Sequence, residues 1–420
     1  MTTLPSINNY TPIMPKQNIN ITNQQFKYTP QGVDAIQKTA EATNPNIKPA
    51  KMLLSLMKAG LSGKEADAKL FENATNEDWI RMYNLSHKNA VTQIAFDGIK
   101  NSKNITVPKE CLKNLEINQD FVKKYHSMQE KILGDFVKLT NTAGYDTVQM
   151  KGIGFSMNYP DPQKRFGGDI DVFNIKQGKT PEESIKTSSF EVDKLAKKAK
   201  MEVHTDHGYK HSVIKHKGMP IENHRYLLNV EFAPIAKKMN DYLLKHINPV
   251  EQILPNGTKI KVPSKEFNTV FISFHAMQHF VGGNVNFHHL ADWAVHVQKH
   301  GLKIPEEAKG TKFEQFMYAF TNLANKHLGT NIKVPENKKL EDAIYKTIID
   351  PDNIFTFKKP KSNNPMKIFM YKFRRIAESQ QRYHDFYDSS ITPSVPKAIT
   401  KSIIAHIKNP KSIIGVFTKL

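Results

Sequence analysis

Two aspartates stand one residue apart in the apolar run Gly168-Asp169-Ile170-Asp171-Val172. Because side chains alternate along a β-strand, this spacing projects both carboxylates from one face of a strand. Two carboxylates at that distance repel each other, and a fold that keeps them together usually places a cation between them. Ligands that are all oxygens favour Mg²⁺ or Mn²⁺, and Mg²⁺ usually arrives with substrate phosphates. The run therefore predicts a short strand that carries a Mg²⁺ (or Mn²⁺) site.

A glycine-containing turn precedes that run. The stretch 147–151 is typical of a strand, and Gly152-Ile153-Gly154-Phe155-Ser156 follows it as a tight turn that opens a short helix. Such a turn leaves backbone N–H groups that can hold phosphate oxygens. Each pattern is weak by itself, but their order, between a predicted helix and a predicted strand, indicates a nucleotide site.

The segment KGIGFSMNYPDPQKRFGGDIDVFN resembles the corresponding segment of the bacterial nucleotidyltransferase family of unassigned substrate, within the DNA-polymerase-β-like superfamily. The positions that match the family pattern are Lys151, Gly152, Tyr159, Arg165, Gly168, Asp169 and Asp171. The resemblance extends over about residues 120–300. It implies an α+β fold: a polymerase-β-like nucleotidyltransferase core, with a short mixed sheet flanked by helices, and helical N-terminal and C-terminal regions.

The resemblance also implies a reaction. Enzymes of this superfamily move an NMP from an NTP to an acceptor and release pyrophosphate, with two divalent ions at the reacting atoms. Asp169 and Asp171 would ligate both ions, and a third carboxylate on a neighbouring strand would complete the site. Glu222 is the favoured candidate, because it follows a predicted hairpin and stands two residues before His224, as the family pattern requires. Glu231 is the alternative.

The resemblance further implies which residues hold the triphosphate of the NTP: Lys151, Gly152, Gly154, Ser156 and Arg165. Ammonium and guanidinium groups offset the charge of phosphates. The chain departs from the family at the serine, where Gly154-Phe155-Ser156 replaces a Gly-Ser pair. The resemblance does not identify the acceptor, which is RNA, a protein side chain, a sugar phosphate or a small molecule, since one fold serves many substrates.

The net charge and the cysteine content indicate which partners and which cellular compartment to expect. The net charge of +20 and the pI near 9.6 favour polyanionic partners such as nucleic acid or nucleotide phosphates, although a lysine-rich composition also results from an AT-biased genome. The single cysteine, Cys111, excludes an internal disulfide framework and fits a reducing compartment. Neither a signal-like N-terminus nor an apolar run long enough to cross a bilayer is found, so we expect a cytoplasmic protein without a transmembrane segment.

Composition and periodicity divide the chain into five parts. These are a disordered or loosely docked segment at 1–45, a helical region at 46–119, the nucleotidyltransferase core at 120–263, a helical domain completing the site at 264–350, and a basic helical tail at 351–420. The tail either packs on the core or contacts nucleic acid or a membrane surface. The elements predicted within the core and the domain after it are helices at 120–141 and 182–200, strand pairs at 211–215 with 219–224 and within 252–262, and helical structure over 264–301.

Histidines in the C-terminal half offer a second chemistry. His275 and His279 are spaced to share one helix face, and His288, His289 and Asp292 follow them. This spacing can hold zinc, but a zinc hydrolase needs a glutamate beside the first histidine, where Ala276 stands. We therefore interpret these histidines as packing beneath the site or as contacts to base and ribose. The alternative to an enzyme is a non-catalytic nucleotide- or nucleic-acid-binding protein on a degenerate nucleotidyltransferase fold.

Overall fold

A computed structural model describes residues 45–205, 210–230, 234–351, 354–355 and 364–387. The expectations for the segment 1–44, for Glu231 and for most of the tail lie outside the described residues and stay predictions.

The described chain alternates helices with the strands of one sheet. The helices are α1 (Ile47–Ser62), α2 (Asn76–Lys88), α3 (Thr92–Asn101), α4 (Lys109–Thr142), α5 (Gly152–Ser156), α6 (Pro181–Ser184), α7 (Ser188–Lys198), α8 (Pro234–His246), α9 (Lys265–Val281), α10 (Phe287–His300), α11 (Lys312–Leu328), α12 (Lys338–Ile349) and α13 (Pro365–Phe386). The strands are β1 (Tyr145–Gln149), β2 (Ile170–Lys176), β3 (Glu202–His204), β4 (His211–His216), β5 (Met219–His224), β6 (Val250–Ile253) and β7 (Lys259–Val262). The α+β class predicted from the sequence is confirmed.

The seven strands form one mixed sheet in the order β3-β4-β5-β2-β1-β7-β6. Both predicted hairpins are present, since β4 pairs with β5 and β6 pairs with β7 in antiparallel fashion. At the centre, β2 runs antiparallel to β1 and parallel to β5. This order places the aspartate strand directly beside the strand that carries Glu222.

The two faces of the sheet are covered by different helices. Ile170 of β2 packs in a hydrophobic cluster with Phe136 of α4. Phe173, from the other face of β2, belongs to a larger cluster that includes Phe271 of α9. Because side chains alternate, Asp171 shares the face of Phe173 and lies between the sheet and the C-terminal helices.

One hydrophobic core joins the helices before the sheet to those after it. The larger of the two hydrophobic clusters includes Ala50 of α1, Phe173 of β2 and Ile349 of α12. The predicted boundaries between the helical regions and the core therefore stay predictions. None of the described helices is both long and apolar enough to cross a membrane.

Three helical predictions were wrong in their bounds. The helix at 120–141 begins earlier, at Lys109, and runs for 34 residues. The helix at 182–200 is two helices, α6 and α7, and the Ser184 hydroxyl at the break accepts a bond from the Lys176 N–H at 3.1 Å. The stretch 264–301 is also two helices, because Gly283 adopts a φ of +76° and the Asn286 side chain caps α10.

Candidate active site

The structure brings three of the predicted acids together. Asp171 on β2 and Glu222 on β5 are Cα partners in the parallel pair, and Asp169 immediately precedes β2. Each acid offers a carboxylate oxygen, and the three oxygens lie within 4.8 Å of one another. Asp171 is 1% exposed and Glu222 is 6% exposed, so the oxygens converge in a largely buried place.

The protein stabilises the three carboxylates unequally. Burial, together with the charges of Asp171 and Glu222, raises the pKa of Asp169. Burial alone would also raise the pKa of Asp171, but the Lys151 ammonium and the His224 imidazole hold it well below its usual range. The pKa of Glu222 is lowered despite its burial, mainly by its hydrogen bond with His224. Of the three acids, Asp169 is therefore the one whose ionised form the protein stabilises least.

His224 links two of these carboxylates. Its Nε2 lies 3.0 Å from Asp171 Oδ1 and 3.4 Å from Glu222 Oε2, and its Nδ1 lies 3.1 Å from the Tyr226 carbonyl oxygen. A carbonyl only accepts, so Nδ1 carries a proton, and a second proton on Nε2 is needed to bond the carboxylates. Burial lowers the pKa of His224, but bonds to the two acids outweigh it and raise the pKa. The ring thus fixes the orientation of both acids.

The donor set fits a hard divalent cation. All three ligand atoms are carboxylate oxygens, which are the donors that Mg²⁺ and Mn²⁺ prefer. The unfavourable charge of Asp169 is the kind of charge that a bound cation would offset. Lys151, whose Nζ lies 3.4 Å from Asp171 Oδ1, already balances part of the negative charge. The residues at this place therefore suit the Mg²⁺ (or Mn²⁺) expected from the sequence.

The glycines of the turn after β1 are required by close packing. Gly152 has a φ of +57°, and a Cβ there would lie 3.2 Å from the Asp169 carbonyl oxygen. A Cβ on Gly154 would come within 2.9 Å of Val262 in β7. The Ser156 hydroxyl is buried and donates to the Ile153 carbonyl at 2.6 Å. These contacts explain Gly154 and Ser156 by packing and give the predicted phosphate contacts of both residues no support.

Arg165, which the sequence predicts to contact phosphate, is buried in an ion pair with Asp292 of α10. Its Nε and Nη2 donate to the two carboxylate oxygens of Asp292 at 2.8 and 2.7 Å, and its Nη1 donates to the Gly152 carbonyl at 3.0 Å. The Tyr159 hydroxyl donates to Asp292 Oδ1 at 2.6 Å. Burial would raise the pKa of Asp292, but the Arg165 guanidinium holds it well below its usual range. Two residues of the family pattern thus tie the Gly152 turn to α10.

Three of the histidines singled out in the sequence also converge. His275 and His279 of α9 and His289 of α10 each offer a ring nitrogen within 4.8 Å of the others. The two α9 rings pack edge to face, with their Nε2 atoms 3.1 Å apart. His288 lies apart from this group, with its Nε2 3.1 Å from Arg165 Nη2.

Lys210 and His211 are site residues that sequence reasoning missed. His211, at the start of β4, places its Nε2 3.6 Å from Glu222 Oε1. Lys210, one residue earlier, is close enough to the three acids for their charges to affect its pKa. Their position depends on the pairing of β4 with β5, in which Val213 is the partner of Glu222. The one signal in the sequence is strand alternation, which places His211 on the same face of β4 as Val213.

Comparison with known proteins identifies the family. A model of the family described as "Uncharacterised nucleotidyltransferase" matches residues 75–329, which is more than half of the chain. The matched range includes the three acids, Lys151, and the Arg165–Asp292 pair. No curated protein and no solved structure matches the chain. The chain belongs to this family of uncharacterised nucleotidyltransferases, whose general activity is nucleotidyl transfer.

Proposed function

We propose that this protein is a Mg²⁺- or Mn²⁺-dependent nucleotidyltransferase of the DNA-polymerase-β-like kind, which moves an NMP from an NTP to an acceptor. The observation that carries the proposal is the convergence of Asp169, Asp171 and Glu222 on adjacent parallel strands. The family match supports nucleotidyl transfer, and the all-oxygen donor set supports the metal.

In this reaction an acceptor oxygen bonds to the α-phosphorus, the bond to the bridging oxygen breaks, and pyrophosphate leaves with the electron pair. A bound Mg²⁺ or Mn²⁺ would neutralise phosphate charge and make the acceptor hydroxyl a better nucleophile. Asp169, Asp171 and Glu222 are the residues that would hold it. Glu222 is ionised at neutral pH and is proposed to assist removal of the hydroxyl proton.

The positive residues around the acids organise the reactants. Lys151 is held beside Asp171, so its ammonium is in place to pair with a phosphate of the NTP. His224 keeps Asp171 and Glu222 in one orientation. Arg165 acts through Gly152 and Asp292 and is a positioning residue in this proposal. The acceptor, proposed to be a nucleic acid, a protein or a smaller molecule, is not chosen by these contacts.

A screen for label transfer tests the proposal. The four α-labelled NTPs are incubated with the full chain and a cell extract, with Mg²⁺, with Mn²⁺ or with a chelator, and label in macromolecules and small molecules is measured. We expect transfer and pyrophosphate release that need the metal and are lost in Asp169→Asn. Transfer that persists in Asp169→Asn would contradict the proposal. RNA binding without any transfer, unchanged by that substitution, would favour the non-catalytic alternative.

Gly152→Ala is expected to impair both stability and transfer. A side chain at a φ of +57° costs about 1–2 kcal/mol. The new Cβ also presses on the Asp169 carbonyl, and a displaced carboxylate is expected to slow transfer by about a hundredfold. Gly178→Ala is the matched control, since Gly178 has a φ of +79° with no atom near its Cβ position. Urea denaturation should show similar losses of stability in Gly152→Ala and Gly178→Ala. The transfer assay should show a loss of activity in Gly152→Ala alone, and equal activities of the two variants would contradict the prediction.

A further inference from the structure

Lys210 is a half-buried lysine close to the proposed metal site. Among the described residues, its ammonium forms neither an ion pair nor a hydrogen bond. Other half-buried lysines do have partners, as Lys151 has Asp171 at 3.4 Å, Lys164 has Asp97 at 2.7 Å and Lys312 has two backbone carbonyls. Burial, with the nearby charge of Lys151, lowers the pKa of Lys210 to about 8. Removing an ammonium from water without a partner is costly, so its retention points to a ligand of opposite charge.

The ammonium lines a pocket between the sheet and the C-terminal helices. The pocket has a volume of about 190 Å³ and is lined by polar side chains that include Lys210, His275, Gln278, His279 and Asn284. Lys210 is also close enough to Asp169, Asp171 and Glu222 to interact with their charges. A ligand in this pocket would therefore lie beside the carboxylates proposed to hold the metal.

The electrostatics of the pocket disfavour a metal ion at the three histidines. Burial comes first among the causes that lower the pKa of His275 and His279, and the positive charges of Lys151 and Lys210 add to it. A divalent cation there would face the same two ammonium groups. His289 Nδ1 also accepts the Asn286 N–H at 3.2 Å, which commits one of its ring nitrogens. The potential that repels a cation from this pocket attracts an anion.

We propose that Lys210 binds a phosphate group in this pocket, beside the carboxylates proposed to hold the metal and against the imidazoles of His275 and His279. The proposal rests on the proposed function, which supplies two possible sources for the group. It is either a phosphate of the NTP itself or a phosphate carried by the acceptor. In the second case the acceptor belongs to the phosphorylated molecules, such as a nucleic acid or a sugar phosphate.

Two binding measurements distinguish a phosphate of the NTP from a phosphate of the acceptor. In the first, pyrophosphate and an NTP are titrated into the full chain by calorimetry. In the second, inorganic phosphate is titrated into the chain saturated with Mg²⁺ and a non-hydrolysable NTP. Lys210→Met is compared with Lys215→Met, a control in β4, the strand that follows Lys210; Lys215 is exposed and pairs with Glu202. Thermal melting should show Lys210→Met folded and at least as stable as the natural chain, because an unpaired charge has been removed.

We expect Lys210→Met to weaken binding about tenfold or more in one of the two measurements, as for the loss of one charge-assisted contact. Weaker binding of pyrophosphate and the NTP assigns the bound phosphate group to the NTP. Weaker binding of inorganic phosphate alone assigns it to the acceptor. Unchanged affinity in both would overturn the inference, as would stoichiometric zinc retained by the natural chain and lost in His279→Ala. Asp171→Asn, which should lose transfer but keep phosphate binding that depends on Lys210, distinguishes failure of the phosphate site from failure of the proposed reaction.

Discussion

Asp169→Asn and Asp171→Asn are each expected to slow nucleotidyl transfer by about a thousandfold or more, because each removes a ligand worth several kcal/mol of transition-state stabilisation. The measurement is the rate of label transfer at saturating NTP and Mg²⁺. Asp135→Asn, at an exposed aspartate paired with Lys217, is the control and should leave the rate unchanged. A variant of either metal-site aspartate with a nearly normal rate would contradict the site.

The same two variants should differ in their effect on stability in the presence of a chelator. The pKa of Asp169 is raised in the folded chain, so its charge opposes folding, and asparagine is expected to leave stability unchanged or slightly higher. The pKa of Asp171 is lowered, so its charge favours folding through Lys151 and His224. Asp171→Asn should therefore cost on the order of 2 kcal/mol. Urea denaturation checks both, and equal effects of the two substitutions would contradict this distribution of charge.

The aspartate pair was predictable because its geometry is local. In an extended chain, a spacing of two residues places Asp169 and Asp171 on one side, whichever strands pair with that segment. Glu222 was predictable for a weaker reason, since its partnership with Asp171 depends on β5 pairing beside β2, and only the resemblance to the family indicated that order. The register between the two strands is a tertiary property.

The partner of Arg165 was not predictable from its neighbours in sequence. Its partner Asp292 lies 127 residues further along the chain, and nothing near Arg165 indicates that α10 returns to the Gly152 turn. A guanidinium beside a nucleotide motif is expected to contact phosphate, and only the packing shows that Asp292 already occupies two of its donors. Lys210 was missed for a related reason, because strand pairing alone brings it to the acids.

The predicted helix boundaries were wrong for the opposite reason, because the local sequence favours a helix over a longer stretch than the fold allows. The stretch 182–200 contains residues that a helix accepts throughout, so propensity predicts one helix. The break is set by Ser184, which is buried and bonds the backbone of β2 at Lys176. Tertiary contacts thus decide where α6 ends, although the helical character of the stretch was predicted correctly.

Arg165→Met is expected to destabilise the chain by roughly 3–5 kcal/mol, because it leaves the Asp292 carboxylate buried without its cation. The loss should be visible in urea denaturation without any nucleotide or metal. Lys164→Met is the control, since the neighbouring Lys164 pairs with Asp97 in a more exposed place and should cost less than about 1 kcal/mol.

A double variant separates a positioning role from a phosphate contact. Arg165→Met combined with Asp292→Leu removes both charges of the pair, so it should recover part of the stability lost in Arg165→Met, as buried pairs do when both partners become apolar. Transfer should stay impaired in the double variant, because the Gly152 carbonyl has lost its bond from Arg165. If Arg165→Met is instead fully stable and only raises the NTP concentration needed for half-maximal rate, Arg165 contacts the triphosphate and the ion pair does not fix its role.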